Sequence, residues 1–513
     1  MNIYTVRKAT QGLANFIIKE NAQAKGVAIA FDSRHMSPEF AKETALCMAA
    51  NGIKAYIFPS LRPTPMLSFA LRELGCIAGV VVTASHNPPQ YNGYKVYWED
   101  GAQITAPKDK QIITEVQAIT DFAQVKTMSE EDAKAAGLYE VIGEEIDDRY
   151  MEALKKLVLR PEAIKEQADK LKIVYTPLHG TGNIPVRRVL KELGFNNVYV
   201  VKEQELPDGD FPTVSYPNPE DKNAFTLALK LAAEVDADIV LATDPDADRL
   251  GIYAKNEKTG EYESFTGNMS GMLILEYLLS QKKELGMLPE NGAVVTTIVS
   301  GKMARAIAKE YNVALIETLT GFKYIGEQIK FFEQNHDHEF LFGYEESYGC
   351  LEGTHARDKD AVVAVMALCE AAAYYKSKGI TLCEQMEKLY QKYGFYKESL
   401  FFQTFPGAEG KAKIDGLMDA LRNEPPKQVG PFKVTALEDY KKSVRTDIAT
   451  GETSALTLPE SNVLYFELED GAWFCVRPSG TEPKIKYYAG VKGTDAQDAA
   501  DKLEALSKAV VEL

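Results

Sequence analysis

Paired cysteines and long apolar runs are missing from this chain of 513 residues. Its six cysteines are scattered and form no C-x-x-C pair. That pattern excludes a disulfide framework or a cysteine zinc cage, and favours reduced thiols in the cytoplasm. The longest apolar stretches, such as residues 77–82, have the length of a strand and are too short to cross a bilayer. No apolar run follows a basic start, so no signal peptide is predicted.

Basic charge is also scarce. The chain carries 58 Lys and Arg against 74 Asp and Glu, for a formal net charge of −16. A surface of this sign disfavours nucleic acid and anionic membranes as partners, since both bind basic proteins. If the substrate is an anion, a few local Arg and Lys side chains must overcome the overall field.

The order of apolar runs indicates several domains, as expected for a chain too long for one core. Strand-like runs alternate with amphipathic helical stretches as far as residue 395, which predicts mixed sheets covered by helices. Beyond that point the strands are short and alternating, and a helix closes the chain. We predict α/β domains at residues 1–155, 156–267 and 268–395, and an α+β domain at 396–513.

A serine stands where the apolar run 77–82 ends. Ser85 is followed by His86, and a hydroxyl beside an imidazole at a strand end is a potential nucleophile. The glycines of a G-x-S-x-G hydrolase elbow are absent. The alternative, a serine that only caps a turn, stays open for this motif alone.

Three carboxylates follow the next conspicuous strand at alternate positions. Asp244, Asp246 and Asp248 would repel one another unless a cation neutralised them. Hard oxygen ligands suit Mg²⁺. An EF-hand loop is excluded, because Arg249 and Lys255 replace its required Gly and Glu. A solvated acidic turn is the remaining alternative.

Two further loops carry polar groups after strands. Glu345 and Ser347 are two residues apart on a glycine-bounded turn and could hold sugar hydroxyls, with His355 and Lys359 close behind. The stretch 477–484 has the composition of an anion-binding loop, since it combines an Arg with hydroxyl side chains and a glycine. For each of these loops a plain turn is the alternative.

A dinucleotide-binding fingerprint is absent. Residues 179–182 lie between a strand and a helix, but Pro185 stands where the third glycine should be. We therefore interpret this stretch as a tight turn.

In this order and at these intervals, the four loops resemble the α-D-phosphohexomutase superfamily, especially its bacterial phosphoglucomutase group, which also includes phosphopentomutases. The resemblance covers residues from about 27 to the end. It implies four domains around a central cleft, with Ser85 as phosphoserine and as a metal ligand beside the three aspartates. The other roles it implies are reaction chemistry for His86, Arg249 and Lys359, sugar binding for Glu345 and Ser347, and phosphate binding for Arg477, Ser479, Gly480 and Thr481. Independently of the resemblance, we expect further substrate contacts from residues at strand ends, namely Arg34, Thr320, Gly321 and Lys323. His355, close behind the sugar loop, is expected to serve the same cavity as an acid-base and substrate-binding group.

The activity that the resemblance implies is interconversion of glucose 1-phosphate and glucose 6-phosphate, with Mg²⁺ as cofactor and glucose 1,6-bisphosphate as intermediate and activator. The expected partner is a small phosphosugar, bound by a monomer or weak dimer. Phosphomannomutase and phosphopentomutase activity remain alternatives, as do a metal-dependent phosphatase and a non-catalytic relative.

One departure from the family pattern concerns the start of the chain. Members of the superfamily begin with a strand and a Gly-Thr-x-Gly-x-Arg-Gly loop, whereas this chain opens directly into a helical stretch at Tyr4. We expect a shortened version of a longer protein, with impaired activity.

Overall fold

A computed structural model describes residues 1–405, 409–479 and 484–513. Consecutive stretches of the chain form four sheets. By the density of internal packing, the chain divides into two compact units. The first consists of Met1–Thr296, Tyr311–Ile316 and Gly321–Gln385, and the second of Thr297–Glu310, Glu317–Thr320 and Met386–Leu513. In the described residues, no helix is both long and apolar enough to span a membrane.

The first sheet has five strands in the order β4-β3-β1-β2-β5. All of its pairs are parallel except β3 with β4. Its central strands β1 and β3 are buried along their whole length, which explains their continuous apolar sequence. The elements are α1 (Ile3–Lys19), β1 (Val27–Phe31), α2 (Ser37–Ala50), β2 (Ala55–Ile57), α3 (Thr64–Glu73), β3 (Ala78–Val82), β4 (Tyr94–Trp98), α4 (Lys108–Ala118), α5 (Glu130–Ala135), β5 (Tyr139–Val141) and α6 (Glu144–Lys155).

The second sheet repeats this plan with the strand order β10-β9-β8-β6-β7. Strands β7, β6 and β8 are parallel, and β9 and β10 are added antiparallel. The elements are α7 (Pro161–Gln167), β6 (Ile173–Thr176), α8 (Asn183–Leu193), β7 (Val198–Val200), α9 (Lys202–Glu205), α10 (Thr226–Val235), β8 (Ile239–Thr243), β9 (Leu250–Lys255) and β10 (Tyr262–Phe265).

The third sheet has the order β12-β11-β13-β14, in which β11 and β13 are parallel and β14 is antiparallel. Two long helices of this segment, α11 and α14, are buried on most of their faces. The elements are α11 (Gly267–Glu284), β11 (Gly292–Thr297), α12 (Met303–Glu310), β12 (Ala314–Thr318), α13 (Phe322–Asn335), β13 (Glu339–Tyr344), β14 (Cys350–Glu352), α14 (Ala361–Ser377) and α15 (Leu382–Tyr393).

The C-terminal sheet is antiparallel and follows the order β15-β22-β21-β20-β17-β18-β19, with β16 paired to β17. Helices α16 and α17 pack on its core. The elements are β15 (Phe395–Thr404), α16 (Gly410–Asn423), β16 (Gln428–Val429), β17 (Phe432–Asp439), β18 (Val444–Asp447), β19 (Thr453–Ala455), β20 (Leu464–Leu468), β21 (Trp473–Pro478), β22 (Lys484–Gly493) and α17 (Ala496–Val511).

The predicted fold class is confirmed: three mixed α/β sheets precede an antiparallel α+β segment. The exact domain boundaries stay a prediction. The sequence pattern missed the antiparallel strands β4, β9 and β14. β4 is only partly buried and β14 has three residues, whereas β9 is buried over five of its six residues. Each of them follows a predicted site loop, so the serine, aspartate and sugar loops connect strand to strand rather than strand to helix.

Two buried glutamates predict an unusual dependence of stability on pH. Glu370 accepts hydrogen bonds from the amides of Leu159, at 2.7 Å, and Arg160. Burial and the second carboxyl raise the pKa of Glu352 to about 8. Burial raises the pKa of Glu370 to about 7. Both values exceed the pKa of about 4.3 that a glutamate has in the unfolded chain. The two protonated carboxyl groups therefore contribute their full stability to the folded state below about pH 4.3. It is lost as pH rises through the two folded values.

We therefore expect Glu352→Gln to raise the free energy of unfolding at pH 9 by on the order of 2 kcal/mol. At pH 5 the change should be small, because the native carboxyl is protonated there. Urea titrations at both pH values measure the effect. Glu257→Gln, at an exposed position, is the control and should change neither value. Equal shifts for Glu352→Gln at pH 5 and pH 9 would contradict the prediction.

Candidate functional site

The serine loop is held by a buried arginine. Arg34, just after β1, is 1% exposed, and its guanidinium donates to the carbonyl oxygens of Ser85, Asn87, Pro88 and Tyr91. The planar fork of an arginine can serve several acceptors at once. Arg34 was predicted to contact substrate. In the structure its side chain is fully enclosed and shapes the loop instead.

Ser85 has the left-handed backbone conformation, with φ of 52°. A non-glycine residue is uncommon there, and such strain often accompanies function. The Ser85 amide donates to Thr83 Oγ1 at 2.8 Å, which stabilises the turn. The Ser85 hydroxyl lies 2.9 Å from Asp244 Oδ2 and 3.1 Å from His86 Nδ1. The turn thus aims the hydroxyl at the aspartate loop.

The aspartate loop connects β8 to β9 and holds three buried carboxylates whose nearest oxygens lie within 4.8 Å of one another. Burial, followed by repulsion from the neighbouring aspartates, raises the pKa of Asp244 well above its usual range. Burial and Asp246 raise the pKa of Asp248 as well. Burial opposes ionisation of Asp246 too, but the Lys95 ammonium, a hydrogen bond with Asp244 and the charge of Lys359 together outweigh burial and lower that pKa.

These carboxylates fit a small divalent cation. Asp246 Oδ1 and Asp248 Oδ1 are buried without a hydrogen-bond partner, which is costly unless something binds them. Ser85 Oγ provides a further oxygen beside Asp244. Oxygen-only ligands at this spacing suit Mg²⁺.

Backbone hydrogen bonds from three separate segments clamp the aspartate loop. The Thr181 amide donates to Pro245 O at 2.8 Å, the Thr64 amide to Asp246 O at 3.0 Å, and the Ala361 amide to Ala247 O at 3.1 Å. The loop position therefore depends on packing between all three α/β segments of the first unit.

Two cations flank the carboxylates. Lys359 Nζ lies 3.2 Å from Asp248 Oδ2. Burial acts to lower the pKa of this ammonium, but the negative charges of the surrounding carboxylates outweigh burial, so the pKa is raised. Arg249 pairs with Glu220, and its amide donates to Asp244 Oδ1 at 3.0 Å. Burial and the charge of Arg249 push the pKa of His86 well below its usual value, so this imidazole is neutral at pH 7.

The sugar loop joins the same cluster. Glu345 is 4% exposed and accepts the Gly321 amide at 2.7 Å. The Leu250 amide, just after the aspartate loop, donates to Tyr348 O at 2.9 Å. The aspartate and sugar loops are therefore connected by a main-chain hydrogen bond within one compact unit.

Comparisons with known proteins agree with this arrangement. Models described as phosphoglucomutase/phosphomannomutase α/β/α domains I, II and III match residues 1–122, 148–259 and 266–393, and the model of the C-terminal domain matches residues 422–506. The chain belongs to the phosphoglucomutase/phosphomannomutase family. It is accordingly an enzyme, an intramolecular phosphotransferase of carbohydrate metabolism.

Two bacterial relatives, each named phosphoglucomutase, illustrate the similarity. The protein from Staphylococcus epidermidis strain RP62A is 40% identical over 96% of this chain and 87% of its own length. The protein from Staphylococcus aureus strain MRSA252 is 37% identical over 99% of this chain and 89% of its own length.

Solved structures share the fold. A putative phosphomannomutase from Thermus thermophilus superposes with a TM-score of 0.70 at 20% identity, covering 100% of this chain and 95% of that one. The open form of parafusin, a phosphoglucomutase from Paramecium, gives 0.69 at 19% identity, covering 99% and 90% of the two chains.

The remaining predicted residues of the first unit differ in their surroundings. His355 is enclosed beside Tyr150, and its Nε2 is 2.7 Å from Asp360 Oδ2, so it belongs to a buried network rather than to an open surface. Lys323 is partly buried on the first turn of α13, with its ammonium over the ring of Tyr324. Ser347 is partly buried in the sugar loop.

Other predicted positions belong to the second unit or fall outside the described residues. Thr320 is in the second unit and partly buried. Arg477 is the penultimate residue of β21, and Ser479 follows the end of that strand, with the Ser479 amide donating to Lys484 O at 2.8 Å. Gly480 and Thr481 lie outside the described residues. The phosphate-binding role of this loop stays a prediction.

Two site residues were missed from the sequence. Lys95, on β4, places Nζ 3.0 Å from Asp246 Oδ2, and Thr64 Oγ1 donates to the same oxygen at 3.0 Å. Neither residue stands next to an aspartate in the chain. A lysine on the strand directly after the serine loop was the only available signal, and it needed β4 to be recognised as a strand.

The substitution Arg34→Lys tests whether the enclosed guanidinium stabilises the serine loop. An ammonium keeps the charge but cannot serve four carbonyl oxygens from one plane. We expect the free energy of unfolding in urea to fall by about 3 kcal/mol. Arg149→Lys, which alters an exposed ion pair, should leave it nearly unchanged. A loss for Arg34→Lys no larger than the Arg149→Lys loss would show that the hydrogen bonds of Arg34 do not support the loop.

Proposed function

We propose that the protein interconverts glucose 1-phosphate and glucose 6-phosphate through a phosphorylated Ser85 and a glucose 1,6-bisphosphate intermediate. The observation that carries the proposal is the 2.9 Å contact between Ser85 Oγ and Asp244 Oδ2, at the edge of the three-aspartate cluster. The names of the Staphylococcus relatives support the same substrate.

In the first half-reaction, the C6 hydroxyl of glucose 1-phosphate attacks the phosphorus on Ser85. The P–Oγ bond breaks, a P–O6 bond forms, and the hydroxyl proton passes by way of a base to the departing Ser85 Oγ. In the second half-reaction the bisphosphate has turned over, and Ser85 Oγ attacks the phosphorus on O1. The P–O1 bond breaks, the P–Oγ bond forms again, and the Ser85 proton passes by way of the same base to O1. The product is glucose 6-phosphate, and Ser85 leaves the cycle as it entered.

Among the three predicted reaction residues, only His86 is suited to accept a proton. Its pKa is lowered, so the imidazole is neutral, and Nδ1 lies 3.1 Å from Ser85 Oγ. Lys359 and Arg249 both have raised pKa values and remain cations. We propose that these two cations stabilise the negative charge on the oxygens of the phosphoryl group during its transfer.

Asp244, Asp246 and Asp248, with an oxygen on Ser85, would hold Mg²⁺, which supplies charge neutralisation and Lewis acidity to the phosphoryl group. The chain prepares this site by burying the carboxylates and by holding them with Lys95 and Thr64.

We assign Glu345 and Ser347 to the sugar hydroxyls, because the buried Glu345 carboxylate is fixed by Gly321 beside the same cluster. Arg477, Ser479, Gly480 and Thr481 are assigned to the phosphate that is not transferred, and Lys323 and Thr320 to further substrate contacts. A cytoplasmic location fits the six cysteines, which are all buried and form no disulfide.

Coupled assays with Mg²⁺ and catalytic glucose 1,6-bisphosphate test the proposal. We expect glucose 6-phosphate to form from glucose 1-phosphate without release of inorganic phosphate. Mannose 1-phosphate and ribose 1-phosphate, assayed in parallel, should turn over more slowly. Faster turnover of either would reassign the substrate, and stoichiometric phosphate release would indicate a phosphatase instead.

A further inference from the structure

A cavity of about 260 Å³ lies in the first unit, behind the aspartate loop. Its wall comes from the segment before and within α3, from α6, and from the turn that precedes α8. Half of the lining residues have apolar side chains, among them Met66, Met151 and Pro185. Ile184 and Leu206 line it too and are 70% and 71% exposed. Apolar concavities of this size suit small organic ligands.

One part of the cavity wall is polar and contains a hydroxyl donor that has no acceptor in the protein. Thr181 is 3% exposed, and its buried hydroxyl has no hydrogen-bond partner in the protein. The next residue, Gly182, is the N-cap of α8 and offers no side chain to the first-turn amides. Arg62 and Arg188 also line the cavity, but carboxylates already neutralise both of them: Asp147, itself part of the lining, pairs with Arg62, and Asp148 pairs with Arg188. The unpartnered hydroxyl and the helix terminus are the two groups that favour an anionic head group.

The same wall is bonded to the aspartate loop. The Thr181 amide donates to Pro245 O at 2.8 Å, and Gly180 packs so tightly that an added Cβ would lie 2.5 Å from Pro245 Cα. On the other side, Thr64 holds Asp246 by its amide and hydroxyl, and Met66 follows one half-turn later on α3. A ligand in the cavity would therefore touch the two segments that fix the position of the loop.

We propose that this cavity binds a small organic carboxylate with an apolar body, as an effector of the aspartate loop. The carboxylate accepts from Thr181 and the N-terminus of α8, and the apolar body packs against Met66 and Met151. By holding both segments in place, the ligand reduces the ordering cost of the loop and tightens Mg²⁺ binding. This coupling rests on the proposed metal site, whereas ligand binding itself does not.

The probe is 4-fluorophenylacetate, followed by ¹⁹F NMR line broadening on the full chain without Mg²⁺. Thr181→Val removes the hydroxyl without changing the shape of the side chain, and should weaken binding about 3- to 10-fold. Ile184→Trp alters an exposed side chain and fills the cavity, and should weaken binding by more than about 10-fold. Met287→Trp, at another exposed apolar position, is the control and should bind as the unchanged chain does.

Absence of broadening at millimolar probe, or equal affinity for the chain carrying Ile184→Trp, would overturn the site. Calorimetric titration of Mg²⁺ with and without the probe then tests the coupling, with tightening of about 5-fold or more expected. Probe binding with an unchanged Mg²⁺ affinity would overturn the effector role. Probe binding in a chain without mutase activity would instead refute the proposed function and leave the cavity assignment intact.

Discussion

Ser85→Ala is expected to lower the glucose 1-phosphate mutase rate by about 10⁴-fold or more. The cycle requires an oxygen that accepts the phosphoryl group and returns it, and alanine has none. Ser85 Oγ also contacts Asp244 and His86, so the substitution removes the group that joins the serine and aspartate loops. The rate is measured in the coupled assay with Mg²⁺ and catalytic glucose 1,6-bisphosphate.

Ser33→Ala is the matched control for this experiment. Ser33 lies in the neighbouring loop after β1, and its buried hydroxyl has no partner. Its removal should leave the rate within about 3-fold of that of the unchanged chain. Incubation with ³²P-labelled glucose 1,6-bisphosphate should label the control but not the chain with Ser85→Ala. Label or turnover retained without the Ser85 hydroxyl would refute the phosphoserine pathway.

Asp244→Asn is expected to change activity and metal-free stability in opposite directions. Three buried carboxylates repel one another, and burial raises the pKa of Asp244. The amide can keep the native hydrogen bonds, because Oδ1 already accepts from Asp248 and Arg249 while the other position faces Ser85 Oγ. Removing one charge should therefore raise the metal-free free energy of unfolding by about 1–2 kcal/mol.

The same substitution should lower the mutase rate by about 10³-fold, because a charged ligand of the proposed metal is lost. Thermal unfolding with and without Mg²⁺ separates the two effects. Mg²⁺ should raise the midpoint of the unchanged chain and have little effect on the chain with Asp244→Asn. Asp337→Asn, at an exposed site, should behave as the unchanged chain. A Mg²⁺ shift that persists without the Asp244 charge would place the metal elsewhere.

The central strands could be predicted because their signal is local. Strands β1, β3 and β8 are buried along their whole length and therefore read as continuous apolar runs. The antiparallel strands β4 and β14 gave no such signal. β4 is only partly buried, and β14 has three residues. Their existence depends on pairing with a neighbouring strand, which a single sequence does not display.

The candidate site divides in the same way. Asp244, Asp246 and Asp248 are close in the chain, so their alternate spacing alone predicted a cluster of carboxylates. No comparable sequence pattern predicted the side chains from distant segments that contact these carboxylates. Lys95 and Asp246 are 151 positions apart in the chain, and only the fold brings them to 3.0 Å. Which side chain neutralises which carboxylate is therefore decided by tertiary packing.

Arg34 and His355 show why residue type is a weaker guide than burial. Both were predicted to bind substrate, since a cation or an imidazole near a strand end suits an anionic ligand. In the folded chain, Arg34 serves four backbone carbonyl groups and His355 pairs with Asp360. Exposure depends on what packs above a side chain, and that information is not present in its neighbours along the sequence.

The α/β class, the serine and aspartate loops and the family could be predicted from the sequence alone, because each of these depends on local periodicity or on short motifs in a specific order. Tertiary structure decided that Ser85 faces Asp244 from 159 positions away. It also decided that Lys95 joins the cluster and that a cavity lies behind the aspartate loop. These features arise from contacts between distant segments, whose geometry is set by how the sheets and helices pack.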